Sequence, residues 1–159
     1  MANSLFEFTR VDSFMDDINR EDCFDTKDMD GITPNYKFIL VSDCADNIDD
    51  CIDDDGTLIH PYEDGKGCNI VETENSDDGL VSMLWSKGVN GERTMSVADS
   101  TVQYSFGADA YDVKAIFLCN VADGSGYVIA YSINNKAITV NNDLILPCDG
   151  IVWSFRYGD

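Results

Sequence analysis

Residues 113–155 read VKAIFLCNVADGSGYVIAYSINNKAITVNNDLILPCDGIVWSF, and this stretch decides the fold. Val113 to Cys119 is nearly all apolar, which suits a strand covered on both faces. Tyr127 to Ile133 alternates, which predicts Tyr127, Ile129, Tyr131 and Ile133 on one face. Between them, Asp123-Gly124-Ser125-Gly126 has the composition of a turn. Ala137–Val140, Leu144–Leu146 and Ile151–Tyr157 follow as further strands, separated by Asn141-Asn142 and Asp149-Gly150. The last of these sets Ile151, Trp153, Phe155 and Tyr157 against Val152, Ser154 and Arg156, a period of two.

Upstream the same signals recur. Tyr36–Ser42 is a strand by composition, bounded by Thr33-Pro34-Asn35 and Asp43. Residues 43–79 form a long polar excursion with brief apolar pieces at Thr57–His60 and Asn69–Glu72. Leu80–Ser86 and Arg93–Ala98 flank Gly88-Val89-Asn90-Gly91, whose Asn-Gly pair tolerates positive φ and predicts a hairpin. Thr101–Phe106 adds another strand. Roughly nine short strands with almost no helical periodicity predict an all-β chain, an antiparallel β-sandwich of jelly-roll type. Residues 31–159 form one domain on this reading, without internal repeat or linker. Residues 1–30 form an acidic N-terminal arm. There Ser13 with Asp16 resembles a capping box and Phe14 with Ile18 is one i, i+4 pair, which predicts a short helical turn too small to stand alone. Such an arm packs either on its own domain or on a neighbouring subunit.

The net charge is −20 over 159 residues, and it is unevenly placed. Residues 1–78 hold 22 Asp and Glu against 5 Lys and Arg; residues 79–159 hold 8 against 5. A field of this sign repels phosphate backbones and anionic membrane surfaces, so nucleic acid and membrane are not expected partners. The start, MANSLFEFTR, lacks a basic segment followed by an apolar one, and predicts residence in a cytoplasm. In such a compartment the six cysteines, Cys23, Cys44, Cys51, Cys68, Cys119 and Cys148, are expected as free thiols.

Candidate chemistry is sparse. His60 is the single histidine, and it precedes Pro61, which favours an extended backbone. A Ser-His-Asp or Cys-His device would need it, yet no sequence feature marks a nucleophile, and Gly124-Ser125-Gly126 fits a hairpin turn better than a nucleophile elbow. The acids Asp43, Asp46, Asp49, Asp50, Asp53, Asp54 and Asp55, followed by Gly56, raise a calcium loop. Setting Gly56 at the glycine position of an EF-hand loop puts Cys51 and Tyr62 where the first and last carboxylate ligands belong, so that register fails. A looser calcium site or a solvated loop remain as readings. Cys44 and Cys51 lack the chelate spacing of a structural zinc site. Trp85, Trp153, Tyr127, Tyr131, Phe155 and Tyr157 all fall at strand spacing and are expected in the core rather than on a sugar-stacking surface. No catalytic residue, cofactor or metal ligand is assigned.

The segment Val113–Phe155, with its apolar strand, Gly-rich turn, Tyr-rich alternating strand and closing Gly-Ile-Val-Trp-Ser-Phe strand, resembles the carboxy-terminal β module of small virion proteins of tailed bacteriophages, of the capsid-decoration or head-fibre kind. The resemblance covers about a quarter of the chain. It implies a non-enzymatic structural protein of a phage particle, assembled in the host cytoplasm as a homo-oligomer. It further implies docking on capsid or tail subunits with acidic loops facing solvent. Two other classes of function remain open. One is a carbohydrate or receptor binding module on a tail or fibre, assisted by calcium; the other is a carboxylate-based hydrolase using two facing acids.

Overall fold

An apolar run with no polar face is stable only where both of its faces are covered, and that requirement places Val113–Cys119 in the middle of the molecule. The computed structural model describes residues 8–10, 31–73, 77–87, 92–99, 101–105, 110–121, 127–141, 144–148 and 152–156. Its strands are β1 (Thr9–Arg10), β2 (Gly31–Cys44), β3 (Cys68–Ile70), β4 (Leu80–Lys87), β5 (Glu92–Val97), β6 (Thr101–Tyr104), β7 (Ala110–Asn120), β8 (Tyr127–Asn141), β9 (Leu144–Pro147) and β10 (Val152–Arg156). The main sheet runs β1-β8-β7-β2-β4-β5-β10, with β3 paired to β2 beyond β4; β6 and β9 form a separate two-stranded sheet. Every strand pairing is antiparallel. The chain is all-β and antiparallel, as its periodicity predicts.

β7 is the centre. Ala115, Ile116, Phe117, Leu118 and Cys119 are all fully buried. Register places Phe38 opposite Leu118, Leu40 opposite Ile116 and Tyr36 opposite Val81, so these side chains share one face. Phe8, just before β1, lays its ring 5.3 Å from that of Phe38. Phe8 therefore packs on the main sheet. The core takes further cover from the segment that follows β2. After β2 the chain leaves the sheet and meets β8, where Thr57 bridges Tyr127 and the Val128 N–H donates to the Gly56 carbonyl at 2.9 Å. Since β7 lies between β2 and β8, the excursion spans the width of β7 before returning as β3.

Irregularities in the ladders explain where strand boundaries differ from the sequence reading. β2 extends upstream through Thr33-Pro34-Asn35, because the register with β4 shifts between Thr33 and Tyr36 and Pro34 falls in that bulge, where its missing N–H breaks no ladder bond. The strands expected at 127–133 and 137–140 are one strand, β8. β7 pairs Val113 with Ile138 and Ala115 with Ile133, so β8 bulges between them, at Asn134-Asn135-Lys136-Ala137. A second bulge overturns the expected alternation. Leu118 pairs with Ala130 but Cys119 with Val128, so Ile129 is the extra residue and Tyr127 lies on the opposite face from Tyr131. Within the excursion, Thr57 and Leu58 make isolated bridges, to Tyr127 and Ile52. The helical turn expected near Ser13–Ile18 and the turns at 88–91, 123–126 and 149–150 lie outside the described residues, as do Tyr157 and the side chains of Trp85, Trp153 and Phe155.

One contact ties the small sheet to the large one. The buried Tyr104 hydroxyl, at the end of β6, donates to the Phe38 carbonyl at 2.8 Å, and the Phe38 N–H donates to the Gly79 carbonyl at 2.9 Å. Gly79 has φ +87°, and a Cβ there would strike the Phe38 carbonyl and come within 2.9 Å of the Tyr104 ring. Asp78 adds a parallel link by accepting from the Ser105 N–H at 2.9 Å. Tyr104→Phe leaves a buried carbonyl unsatisfied and is expected to lower stability by about 1–3 kcal/mol. Gly79→Ala, strained in backbone and blocked in space, is expected to cost at least as much. Urea unfolding of both variants should show lower midpoints with unchanged slope.

Candidate functional site

The polar run from Asp43 to Cys68 is where the sequence concentrates its titratable side chains, and local hydrogen bonding gives it a fixed shape. Asn47 caps a single 3-10 turn at Ile48–Asp50, its side-chain oxygen accepting from the Asp49 N–H at 3.0 Å. Asp53 then organises the next turn. Its Oδ1 accepts from the N–H groups of Asp55 at 2.9 Å and Thr57 at 3.0 Å, while Oδ2 accepts from the Thr57 hydroxyl at 2.7 Å. Gly56, at φ +86°, supplies the left-handed backbone of this turn. Glu63 and Lys66 exchange both backbone hydrogen bonds around Asp64-Gly65, whose φ values of 54° and 80° make a hairpin turn of the Asp-Gly kind. Asp43, Asp46, Asp49, Asp53, Asp54 and Asp55 stay exposed, and Asp50 is half-buried.

The apolar side chains of the excursion turn inward. Cys51 and Cys68 are fully buried, as is Cys44 at the end of β2, and Ile52, Leu58 and Tyr62 pack against the core. Cys44 and Cys68 are directly opposed on β2 and β3. The Cys51 thiol donates to the Ala45 carbonyl at 3.4 Å, and the Cys68 thiol to the Ile59 carbonyl at 3.2 Å. Lys114 on β7 reaches the same corner, donating to the Cys44 carbonyl at 2.6 Å and to Asp46 at 2.8 Å, with Asp43 at 3.9 Å. Burial alone would lower the lysine pKa, but the Asp46 hydrogen bond and the neighbouring negative groups outweigh it and hold the ammonium charged.

The thiols divide into two kinds. The neighbouring Cys51 thiol, and after it the Lys114 ammonium, lower the pKa of Cys44 against burial and the Asp43 and Asp46 carboxylates, which raise it. The Cys44 neighbour and burial raise that of Cys51, and burial pushes Cys68 up to about 12, so these two keep their protons. Cys44, Cys51, Cys68, Cys119 and Cys148 are free thiols, and Cys23 lies outside the described residues.

A second feature lies along the edge of β2 that meets β4 and β3. The paired ladder to β4 ends at Lys37 and Leu80, followed only by the Phe38–Gly79 bond, and on the β3 side bonding begins where the Val71 N–H donates to the Leu40 carbonyl at 2.8 Å. The gap between the two partner strands is a cleft of about 460 Å³, lined by Lys37, Leu40, Ile70, Glu72, Asp78 and Tyr104 among others. It joins apolar walls to charges of both signs.

The residues singled out in the sequence do not converge. His60 is exposed, its peptide bond to Pro61 is cis, and no described hydroxyl or thiol pairs with its ring. Among the described residues no three His, Cys, Asp or Glu side chains are placed to hold one metal ion. The carboxylate of Asp53 is spent on its own turn. Comparisons with protein-family models, with curated protein sequences and with solved structures find no match. What sequence reading missed is the cysteine corner, since Lys114 is 70 residues from Cys44 and only β2–β7 pairing unites them. The Asp64-Gly65 hairpin, by contrast, carries a local signal that could have been read.

Asp53 titrates as part of its turn. The Thr57 hydroxyl, followed by backbone N–H groups, holds its carboxyl below the ordinary value of 3.8. Because the folded pKa is the lower one, the turn is fully stabilised above pH 3.8 and loses that support as pH falls through the folded value. Amide resonances of Asp55 and Thr57 are expected to shift together in that acid window. In Asp53→Ala both should lose protection from hydrogen exchange at neutral pH, with the β7 amides unchanged.

Proposed function

We propose that this protein is a non-enzymatic structural component of a bacteriophage particle, a homo-oligomer that docks on capsid or tail subunits and turns its acidic excursion to solvent. In this reading the β6–β9 pair is the second layer of a jelly-roll-like sandwich, and residues 1–30 are an arm that secures the assembled form. The observation that carries it is the construction of the excursion itself. Asp46, Asp49, Asp53, Asp54, Asp55 and Asp64 are held outward on turns whose backbone bonds are satisfied internally, while the cysteines and aliphatic residues of the same segment close the core. A rigid display of one charge sign keeps neighbouring particles apart and does not attract packaged nucleic acid. The near-neutral remainder of the chain is free to serve as the docking surface, and Leu80 and Leu84 are exposed there on one face of β4.

Mass spectrometry of purified particles is expected to find the protein at a stoichiometry that is a multiple of the local lattice symmetry. Absence from particles that package and infect normally would sink the proposal. A second reading, a carbohydrate binding module, is favoured by the mixed apolar and charged cleft beside Lys37 and Tyr104. A glycan array read with and without calcium separates the two, since the structural role predicts no signal in either condition.

A further inference from the structure

We propose that the cleft on β2 receives a short, extended, basic segment of a partner protein, whose backbone carbonyl accepts from the Leu40 N–H and whose aliphatic side chain packs against Ile70. This deepens the docking reading and rests on it only for the identity of the partner. The main-chain groups of β2 along this edge can be followed one by one. The Phe38 N–H donates to the Gly79 carbonyl, the Phe38 carbonyl accepts from the Tyr104 hydroxyl, and the Leu40 carbonyl accepts from the Val71 N–H. Ile39, between them, turns its main-chain groups to β7, so the Leu40 N–H points back into the cleft. Among the described residues nothing accepts from it, because pairing with β3 begins one residue on, at Val41 and Ile70. Leu40 is 2% exposed, and a backbone N–H at that depth is nearly always paired. The donor left over is the one that the carbonyl of a neighbouring strand takes.

The surroundings select what brings that carbonyl. Ile70, Leu80 and Leu84 are the large apolar side chains exposed among the described residues; Ile70 lines the cleft, and Leu80 pairs with Lys37, which lines it too. Exposed apolar surface thus gathers where the ladder is interrupted. Glu72 and Asp78 also line the cleft, with Asp77 exposed beside them, so Lys37 is outnumbered, and the chain as a whole carries −20. A carboxylate or phosphate offered to the Leu40 N–H is repelled, whereas a neutral carbonyl flanked by Lys or Arg is drawn in. A sugar ring stacks on an open aromatic face, and the two rings at this cleft, Phe38 and Tyr104, are fully buried.

The cleft opens to solvent at Ile70 and Glu72, both exposed. Because β4 and β3 hold the edge of β2 on either side, the segment enters as a short stretch and does not add a full strand.

The test uses the isotope-labelled full-length protein, read amide by amide in solution. In the free protein the Leu40 amide is expected to exchange with deuterium about tenfold faster than those of Ile39 and Val41, which face β7. The probe is the capped pentapeptide acetyl-Lys-Val-Lys-Val-Lys-amide. Its titration should move the Leu40 amide proton downfield and saturably, with Val71 and Gly79 following and the Ala130 amide on β8 unmoved. A peptide with Ser in place of Val should bind several-fold more weakly, and one with Glu in place of Lys should leave Leu40 unmoved. Ile70→Ser combined with Leu80→Ser, both at exposed positions, should weaken binding several-fold with unchanged circular dichroism. Protection of Leu40 equal to that of Ile39 in the free protein would overturn the proposal. So would a Leu40 amide that the lysine–valine peptide leaves unmoved, or one that glucose shifts in its place. These outcomes are read on the isolated wild-type protein, so they leave the particle reading standing, and absence from particles would leave the cleft assignment standing.

Discussion

Double coverage of β7 is the constraint from which the rest of the architecture follows. A strand with Ala115 to Cys119 fully buried has no face to give to water, and each such Ile, Leu or Phe contributes about 1.5–3 kcal/mol only while it stays dry. On one face the side chains of β7 lie beside the aromatic and aliphatic residues of β2 and β4, and Phe8 packs there against Phe38. The excursion between β2 and β3 reaches β8 and packs Cys51, Ile52, Leu58 and Tyr62 into the core, which is how a segment so rich in aspartate belongs to the core region at all.

The bulges are the means by which a continuous sheet meets that demand. The extra residue at Ile129 puts Tyr127 on the opposite face from Tyr131, so that consecutive residues Val128, Ile129 and Ala130 are all buried. At that same end of β8 the excursion makes its contacts through Gly56 and Thr57. The bulge in β2 serves a different purpose: it absorbs Pro34 and lets the strand continue far enough upstream to pair with most of β4. Where β2 then exchanges β4 for β3, the Tyr104 hydroxyl takes over a carbonyl that a ladder partner would otherwise satisfy.

These features divide what can be read in the sequence from what cannot. Strand identity was legible because apolar runs and period-two patterns survive in the chain regardless of partners, as at Val113–Cys119 and Leu80–Ser86. Bulges were not, since a one-residue insertion is defined only against the opposing strand; Ile129 looks like a regular member of an alternating series. Asn134-Asn135-Lys136 has turn composition, and nothing local tells a bulge from a turn. The cysteine corner was hidden for the same reason. Cys44, Cys51 and Cys68 are dispersed along the acidic half, and Lys114 comes from the near-neutral half. Only the pairing of Val41 with Ala115 and of Cys44 with Cys68 brings them together.

The uneven charge of the chain takes on a structural meaning at that corner. Most acids of the excursion need nothing from the fold, because water solvates them and their backbone turns are closed locally. Asp46 and Asp43 are different, for they stand beside an ammonium whose side chain is only 12% exposed. A surface ion pair contributes little, but Lys114 also satisfies the Cys44 carbonyl where β2 leaves the sheet, and that hydrogen bond is part-buried. One lysine thus joins the acidic skin to the most buried strand.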